Sequence, residues 1–228
     1  MLRGIASIIL AATGLGFALG PAGVHTGVAT TTSSSTTTTA ATTTTAPRPH
    51  APVRVTIIGD SVADAVTYVP SAENLLRRGV RLRLELAACR RLVEPSCTVA
   101  GVTPTTALQV AQELGTGIGQ VAVIAVGYND WRLVYPHDMR LVLAALRADG
   151  VQRVLWLTLR ASRHDYVDMN DQIRGLAASN HDVVIVDWNL YSRSHASWFT
   201  SDGVHLTPDG AKAMARLLHK SLLPLRNL

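Results

Sequence analysis

The sequence predicts an α/β fold, a three-layer α/β/α sandwich in which a five-stranded parallel sheet is covered by helices on both faces. Two observations predict it. From residue 53 onward, short apolar runs alternate with helix-length stretches, the pattern of successive βα units. Several of these runs are continuous and rich in Val and Ile, as in strands buried on both faces.

The elements follow in order. Residues 53–58 are β-branched and stop at Gly59, a first strand. One helix is expected over 65–78, ended by Gly79. Residues 80–86 alternate Arg81, Arg83 and Glu85 with apolar partners, a second strand. Residues 105–114 read as a helix with Pro104 near its start. The most apolar strand is 121–126, which ends at Gly127. A helix over 138–148 leads through Gly150 to a strand at 153–159. A helix at 167–179 and a fifth strand at 183–187 come next. The last helix is 208–222, with Thr207 as its N-cap and Pro208 in its first turn. Ligands of such sheets bind beyond the carboxyl ends of the strands. A site is therefore sought just after Ile58, Leu86, Val126 and Leu159.

Two segments precede the folded region 53–228. Residues 1–24 carry Arg3, an apolar run from Ile5 to Leu19, and the small residues Ala18, Gly20 and Ala22. That run is short for a membrane span and suits a signal peptide, with an uncleaved anchor as the alternative. Both place the rest of the chain outside the cytoplasm, secreted or associated with the cell envelope. Residues 25–52 are almost wholly Thr, Ser, Ala and Pro. Nothing there can be buried to offset ordering entropy, so a disordered linker is expected.

The chain has two cysteines, Cys89 and Cys97. In an exported protein an even count favours a disulfide, and without a neighbouring histidine the pair makes a poor zinc site. No metal or cofactor is expected. The formal net charge of +5 suits anionic partners such as wall polymers or phospholipid surfaces. The arginines are scattered and no binding motif accompanies them, which argues against nucleic acid. Oligomeric state is not legible.

Three short motifs carry the chemistry. After the first strand stands Gly59-Asp60-Ser61-Val62. Gly59 allows a sharp turn, and a serine at a helix start has an unsatisfied backbone N–H that can meet an oxyanion. Taken alone, Ser61 reads better as a helix cap than as a reactive group. After the third strand stands Gly127-Tyr128-Asn129-Asp130, where the Asn129 amide either donates to a developing oxyanion or closes a turn. Before the last helix stands Ser201-Asp202-Gly203-Val204-His205. A serine nucleophile needs a base, and an aspartate three residues before a histidine can aim its carboxylate at the ring.

Taken together and in this order, Gly-Asp-Ser, Gly-x-Asn-Asp and Asp-x-x-His make the chain resemble the SGNH hydrolases, also called the GDSL esterase and lipase superfamily. The resemblance spans residues 53 to about 223. It implies a flavodoxin-like sheet and a serine ester hydrolase in which Ser61 is the nucleophile, His205 the general base and Asp202 its orienting acid. Ser61 N–H and the Asn129 side chain become oxyanion donors, and Asp60 and Asp130 become structural supports. The family places a glycine after the second strand as a further backbone donor. Here Ala87-Ala88-Cys89-Arg90-Arg91 stands instead, so that donor falls to Cys89 or Arg90. Arg90 or Arg91 is alternatively a contact for an anionic substrate.

The family contains acyltransferases as well as hydrolases. Given export, a linker and a basic surface, the resemblance implies small-molecule, lipid or glycan esters as substrates, including O-acetyl esters of the cell envelope. A catalytically silent wall-binding domain is the non-enzymatic rival. Trp131, Tyr135 and Trp198 are candidates for lining an acyl or sugar pocket, with core packing as the alternative. His137, His164, His181, His195 and His219 read as surface residues.

Overall fold

The apolar runs pair as one parallel sheet in the computed structural model, which describes Gly27, residues 51–226 and Leu228. The expected leader at 1–24 and nearly all of the expected linker at 25–52 lie outside the described residues. The strands are β1 Arg54–Gly59, β2 Arg81–Leu86, β3 Val121–Ala125, β4 Arg153–Leu157 and β5 Val183–Val186. Their spatial order is β2-β1-β3-β4-β5. The helices are α1 Ser61–Asp64, α2 Pro70–Leu76, α3 Ala107–Leu114, α4 Tyr135–Ala148, α5 His164–Ala178, α6 Trp188–Ser192 and α7 Pro208–Leu222.

Successive side chains of a strand point to opposite faces, so a central strand needs two cores. In β3 both exist. Val121, Val123 and Ala125 join one cluster with Val55, Ile57, Leu155, Leu157 and the α7 residues Met214, Leu218 and Leu222. Ala122, Ile124 and Val126 join the other, with Ile58, Trp156, Val110 of α3, Val142 and Leu146 of α4, and Met169 and Ile173 of α5. All five β3 residues are buried. A fully buried side chain of this kind contributes about 1.5–3 kcal/mol relative to leaving it in water. The edge strand β2 turns Arg81 and Arg83 to solvent, which keeps an exposed sheet edge from pairing with another chain.

The expected helix at 65–78 is two helices instead. Pro70 has no N–H to donate and restricts the residue before it to extended backbone, and Val69 sits at φ −126°, ψ 93°. Pro70 is therefore the first residue of α2, while α1 occupies the turn directly after β1. Two boundaries also move toward the N-terminus. α4 begins at Tyr135, with Pro136 in its first turn, and α5 begins at His164. The short helix α6 carried no periodic signal.

Chain order decides where the site falls. β1 is followed by β2 on one side and then, after the chain crosses back, by β3 on the other. The connections leaving β1 and β3 pack on opposite faces of the sheet, and the ends of the two strands open a crevice at that topological switch point. Register brings the three ends level, with Gly59 paired to Leu86 on one side and to Ala125 on the other. The residues that follow, 60–61, 87–91 and 126–130, are thus neighbours.

Candidate active site

Asp60 builds the first corner. It is the N-cap of α1, and its Oδ1 accepts from Val62 N–H at 3.0 Å. Its Oδ2 accepts from Gly127 N–H at 3.2 Å and Tyr128 N–H at 3.3 Å. One buried carboxylate therefore fastens the turn after β1 to the turn after β3. Burial pushes its carboxyl up to about 6 against the opposing pull of those three N–H groups. Ser61 is consequently the first helical residue and not the cap, with its backbone N–H free of partners among the described residues. Gly59 is required by crowding: a Cβ there would stand 2.6 Å from the Ala63 Cβ and 2.8 Å from Leu86.

The turn before α7 positions Asp202 and His205. Asp202 Oδ1 accepts from Val204 N–H at 2.8 Å, His205 N–H at 3.0 Å and Thr200 Oγ1 at 2.8 Å. Gly203 occupies the left-handed region at φ +70°, which a residue without Cβ adopts freely. Phe199 and Leu206 bridge the base of the loop, and Thr207 caps α7 as the sequence predicts.

The result is a hydrogen-bonded chain of three side chains. Asp202 Oδ2 lies 2.6 Å from His205 Nδ1, and His205 Nε2 lies 3.0 Å from Ser61 Oγ. The His205 ring, then the Val204 N–H, holds the Asp202 carboxyl well below the usual carboxylate range. It is an acceptor only, so Nδ1 carries the proton and Nε2 of the neutral ring accepts from Ser61 Oγ–H.

Asn129 faces the same pocket, and its Nδ2 donates to Arg90 O at 3.3 Å while retaining a second proton. Cys89 adopts φ +65°, the conformation for which a glycine is the usual residue. Its disulfide to Cys97, with Cα atoms 5.5 Å apart, anchors it there. Arg90 N–H is taken by Ala87 O at 3.3 Å, whereas Cys89 N–H has no partner among the described residues. Of the two backbone donors the sequence leaves open, only Cys89 presents a free N–H.

Neither arginine of this loop reaches the pocket as an anion contact. Arg90 is buried, and its guanidinium donates to Glu85 O, Gly59 O and Thr105 O, tying the loop to the ends of β1 and β2. Arg91 donates to Asn129 O and lies over the Trp131 ring. The aromatic expectations change as well. Tyr135 is buried and donates to Val126 O, and Trp198 stacks between Trp188 and His195, so both belong to packing. Trp131 is exposed and lines a separate depression with Arg132, Leu133 and Asp165, outside the wall of the Ser61 pocket.

The cavity holding the Ser61 hydroxyl measures about 350 Å³, and its wall comprises Ala88, Cys89, Tyr128, Asn129, Tyr166, Val204 and Arg163 besides Ser61, Asp202 and His205. Tyr128, Tyr166 and Arg163 were not singled out by sequence. Tyr128 and Tyr166 meet edge to face at 5.2 Å. Among the described residues no cluster of three or more His, Cys, Asp or Glu forms a metal site.

Asp130 is a support with a cost. Its Oδ1 accepts from Leu92 N–H at 3.0 Å, but its Oδ2 is buried without a partner among the described residues, and burial pushes the carboxyl up to about 7. Because the folded-state value lies above the unfolded one, the folded protein keeps a proton that the unfolded chain has lost. Stability from this group therefore falls as pH rises between about 4 and 7. Asp130→Asn keeps the Oδ1 acceptor and removes the charge. The variant is expected to match the parent near pH 4 and to exceed it at pH 8 by about 2 kcal/mol, or roughly 5 °C in Tm. Thermal melts at the two pH values check this, and an equal difference at both would refute it.

Sheet order, the strand-end crevice and the Ser61, Asn129, Asp202 and His205 positions define the class: the chain has the SGNH hydrolase fold. Solved structures with this fold include the C-terminal catalytic domain of Streptococcus pneumoniae peptidoglycan O-acetyltransferase A (OatA), with a TM-score of 0.60, 20% identity and coverage of 77% of this chain and 95% of that one. A carbohydrate acetylesterase family member from Sinorhizobium meliloti also has a TM-score of 0.60, at 16% identity and coverage of 77% and 100%. No family model matches the chain. In sequence it is 35% identical over 157 residues to a Bacillus subtilis (strain 168) protein named "Putative peptidoglycan O-acetyltransferase YrhL". The match covers 67% of this chain but only 24% of that relative.

Proposed function

We propose that this chain is a serine esterase that removes O-acyl groups, acetyl above all, from cell-envelope glycans. The single observation that carries the reading is the Ser61–His205–Asp202 chain, at 3.0 Å and 2.6 Å, opening on a pocket at the sheet's switch point. In the reaction, His205 Nε2 takes the Ser61 proton as Oγ bonds to the carbonyl carbon. The carbonyl electron pair moves to oxygen, which Ser61 N–H, Cys89 N–H and Asn129 Nδ2–H receive. Collapse expels the sugar oxygen, which takes the proton from Nε2. Water then repeats the sequence on the acyl-enzyme and releases the acid.

A second reading, transfer of the acyl group to a sugar hydroxyl in place of water, is favoured by the likeness to the named O-acetyltransferases. Extracytoplasmic placement is supported by the Cys89–Cys97 bridge, since such bridges persist in oxidising compartments. Among the described residues no helix is long and apolar enough to cross a membrane.

The test is fluorophosphonate labelling of Ser61 together with an ester panel that includes O-acetylated glycans, run with and without a glycan acceptor. Free acetate identifies a hydrolase and an acetylated acceptor identifies a transferase. No label and background turnover across the panel would leave the silent wall-binding domain as the better account. Asn129→Ala is expected to lower kcat about 10²–10³-fold, as loss of one oxyanion donor does. A change confined to KM would remove Asn129 from that role.

A further inference from the structure

Among the described residues Arg163 is the one arginine or lysine in the wall of the Ser61 pocket, and no step of acyl transfer uses it. Its guanidinium is exposed, lies 5.9 Å from the Tyr166 ring centroid, and forms no ion pair among the described residues. The nearby carboxylates are committed elsewhere. Arg132 takes Asp165 at 2.9 Å and Asp168 at 3.1 Å, and Asp202 is engaged by His205 and three further donors.

Helix capping does not explain the residue, and its cation–π contact with the Tyr166 ring leaves the guanidinium N–H groups free to donate. Arg163 is the N-cap of α5 and makes no side-chain cap bond. Ser, Thr, Asp or Asn at that position would close the helix end, and a cation there opposes the helix dipole. A local rule broken beside a reactive site marks a residue kept for binding.

We infer that Arg163 binds a carboxylate carried by the sugar of the acyl ester, so that the substrates of this pocket are acidic glycan esters. The inference rests on the acyl-transfer reading and narrows its substrate class. A guanidinium fork matches a carboxylate through two parallel N–H···O bonds, and the remaining wall, with Tyr128, Tyr166 and Val204, offers apolar surface to the sugar face and the acyl methyl.

The experiment uses an isosteric pair, O-acetylated methyl glucoside and O-acetylated methyl glucuronoside, which differ by one carboxylate. The parent protein is expected to favour the glucuronoside in kcat/KM by about tenfold through a lower KM. Arg163→Gln brings the ratio to near one, Arg163→Lys leaves it between the two, and added salt lowers the parent's ratio. A parent ratio near one, or the same preference in Arg163→Gln, overturns the inference. Unacetylated methyl glucuronoside is titrated separately into Ser61→Ala protein and followed by NMR. Saturable binding that weakens in the Ser61→Ala/Arg163→Gln double variant supports the inference even if no ester turns over, an outcome that would sink the acyl-transfer reading alone. Absence of binding at millimolar sugar overturns the Arg163 assignment even if esters are hydrolysed.

Discussion

Ser61→Ala is expected to abolish ester turnover, lowering kcat by a factor on the order of 10⁴ or more, with no measurable loss of stability. The size follows from what is removed. Groups that act as one nucleophilic unit lose nearly all of their joint effect when one is taken away. Retention of the fold follows from the local structure. Among the described residues the one hydrogen bond of Ser61 Oγ is to His205 Nε2, the cap of α1 belongs to Asp60, and alanine is a strong helix former. Fluorophosphonate labelling should vanish in parallel, and Tm should stay within about 0.5 kcal/mol-equivalent of the parent, as for a surface substitution. Turnover within tenfold of the parent would mean that another group is the nucleophile.

The fold was legible because burial on both faces leaves a direct signature. The fully buried β3 and the β1 run could not be hidden by any polar face. What periodicity missed was interruption: Pro70 splits the expected helix at 65–78, and the restriction that proline places on Val69 is stronger than the apolar spacing on either side. The order of strands in space, by contrast, has no pairing signal in the sequence of β2, whose exposed Arg81 and Arg83 mark it as an edge only once the sheet is seen.

At the site, legibility followed chemistry. Ser61, Asn129, Asp202 and His205 stand in short motifs, each within a few residues of a strand or helix end, so topology alone brings them together. The loop 87–91 was harder to read, because which N–H of Cys89 and Arg90 is free depends on a turn, Ala87 O to Arg90 N–H, that no residue type announces. Arg90, a candidate backbone donor or anion contact by sequence, is instead a buried clamp on three backbone carbonyls. Arg163 lies just where the strand-end rule directs attention, in the connection after Leu159, but a single arginine there carries no motif. Only the pocket wall distinguishes it from Arg132, which is occupied by two aspartates.

Asp202→Asn is the second large effect, and it separates the orienting role from a structural one. In the same rotamer the asparagine Oδ1 keeps the donors that Asp202 Oδ1 now accepts from Val204, His205 and Thr200, so the loop should stay folded. The Nδ2 group then replaces Oδ2 at 2.6 Å from His205 Nδ1 and presents a donor to it. His205 must accept there, moving its proton to Nε2, where it faces Ser61 Oγ and can no longer remove the hydroxyl proton. The expected loss is about 10⁴-fold in kcat, the magnitude known for the same exchange in the Ser-His-Asp template. Asp202 titrates below its unfolded value, so the small stability it adds is present above about pH 4 and fades as pH falls. The asparagine variant should lack that acid-side dependence, while its melting behaviour near pH 7 changes little because the carboxylate is half exposed. If instead kcat falls less than tenfold, or falls only in step with unfolding, Asp202 serves the loop and not the histidine. The proton relay would then have to run through Ser61 and His205 alone.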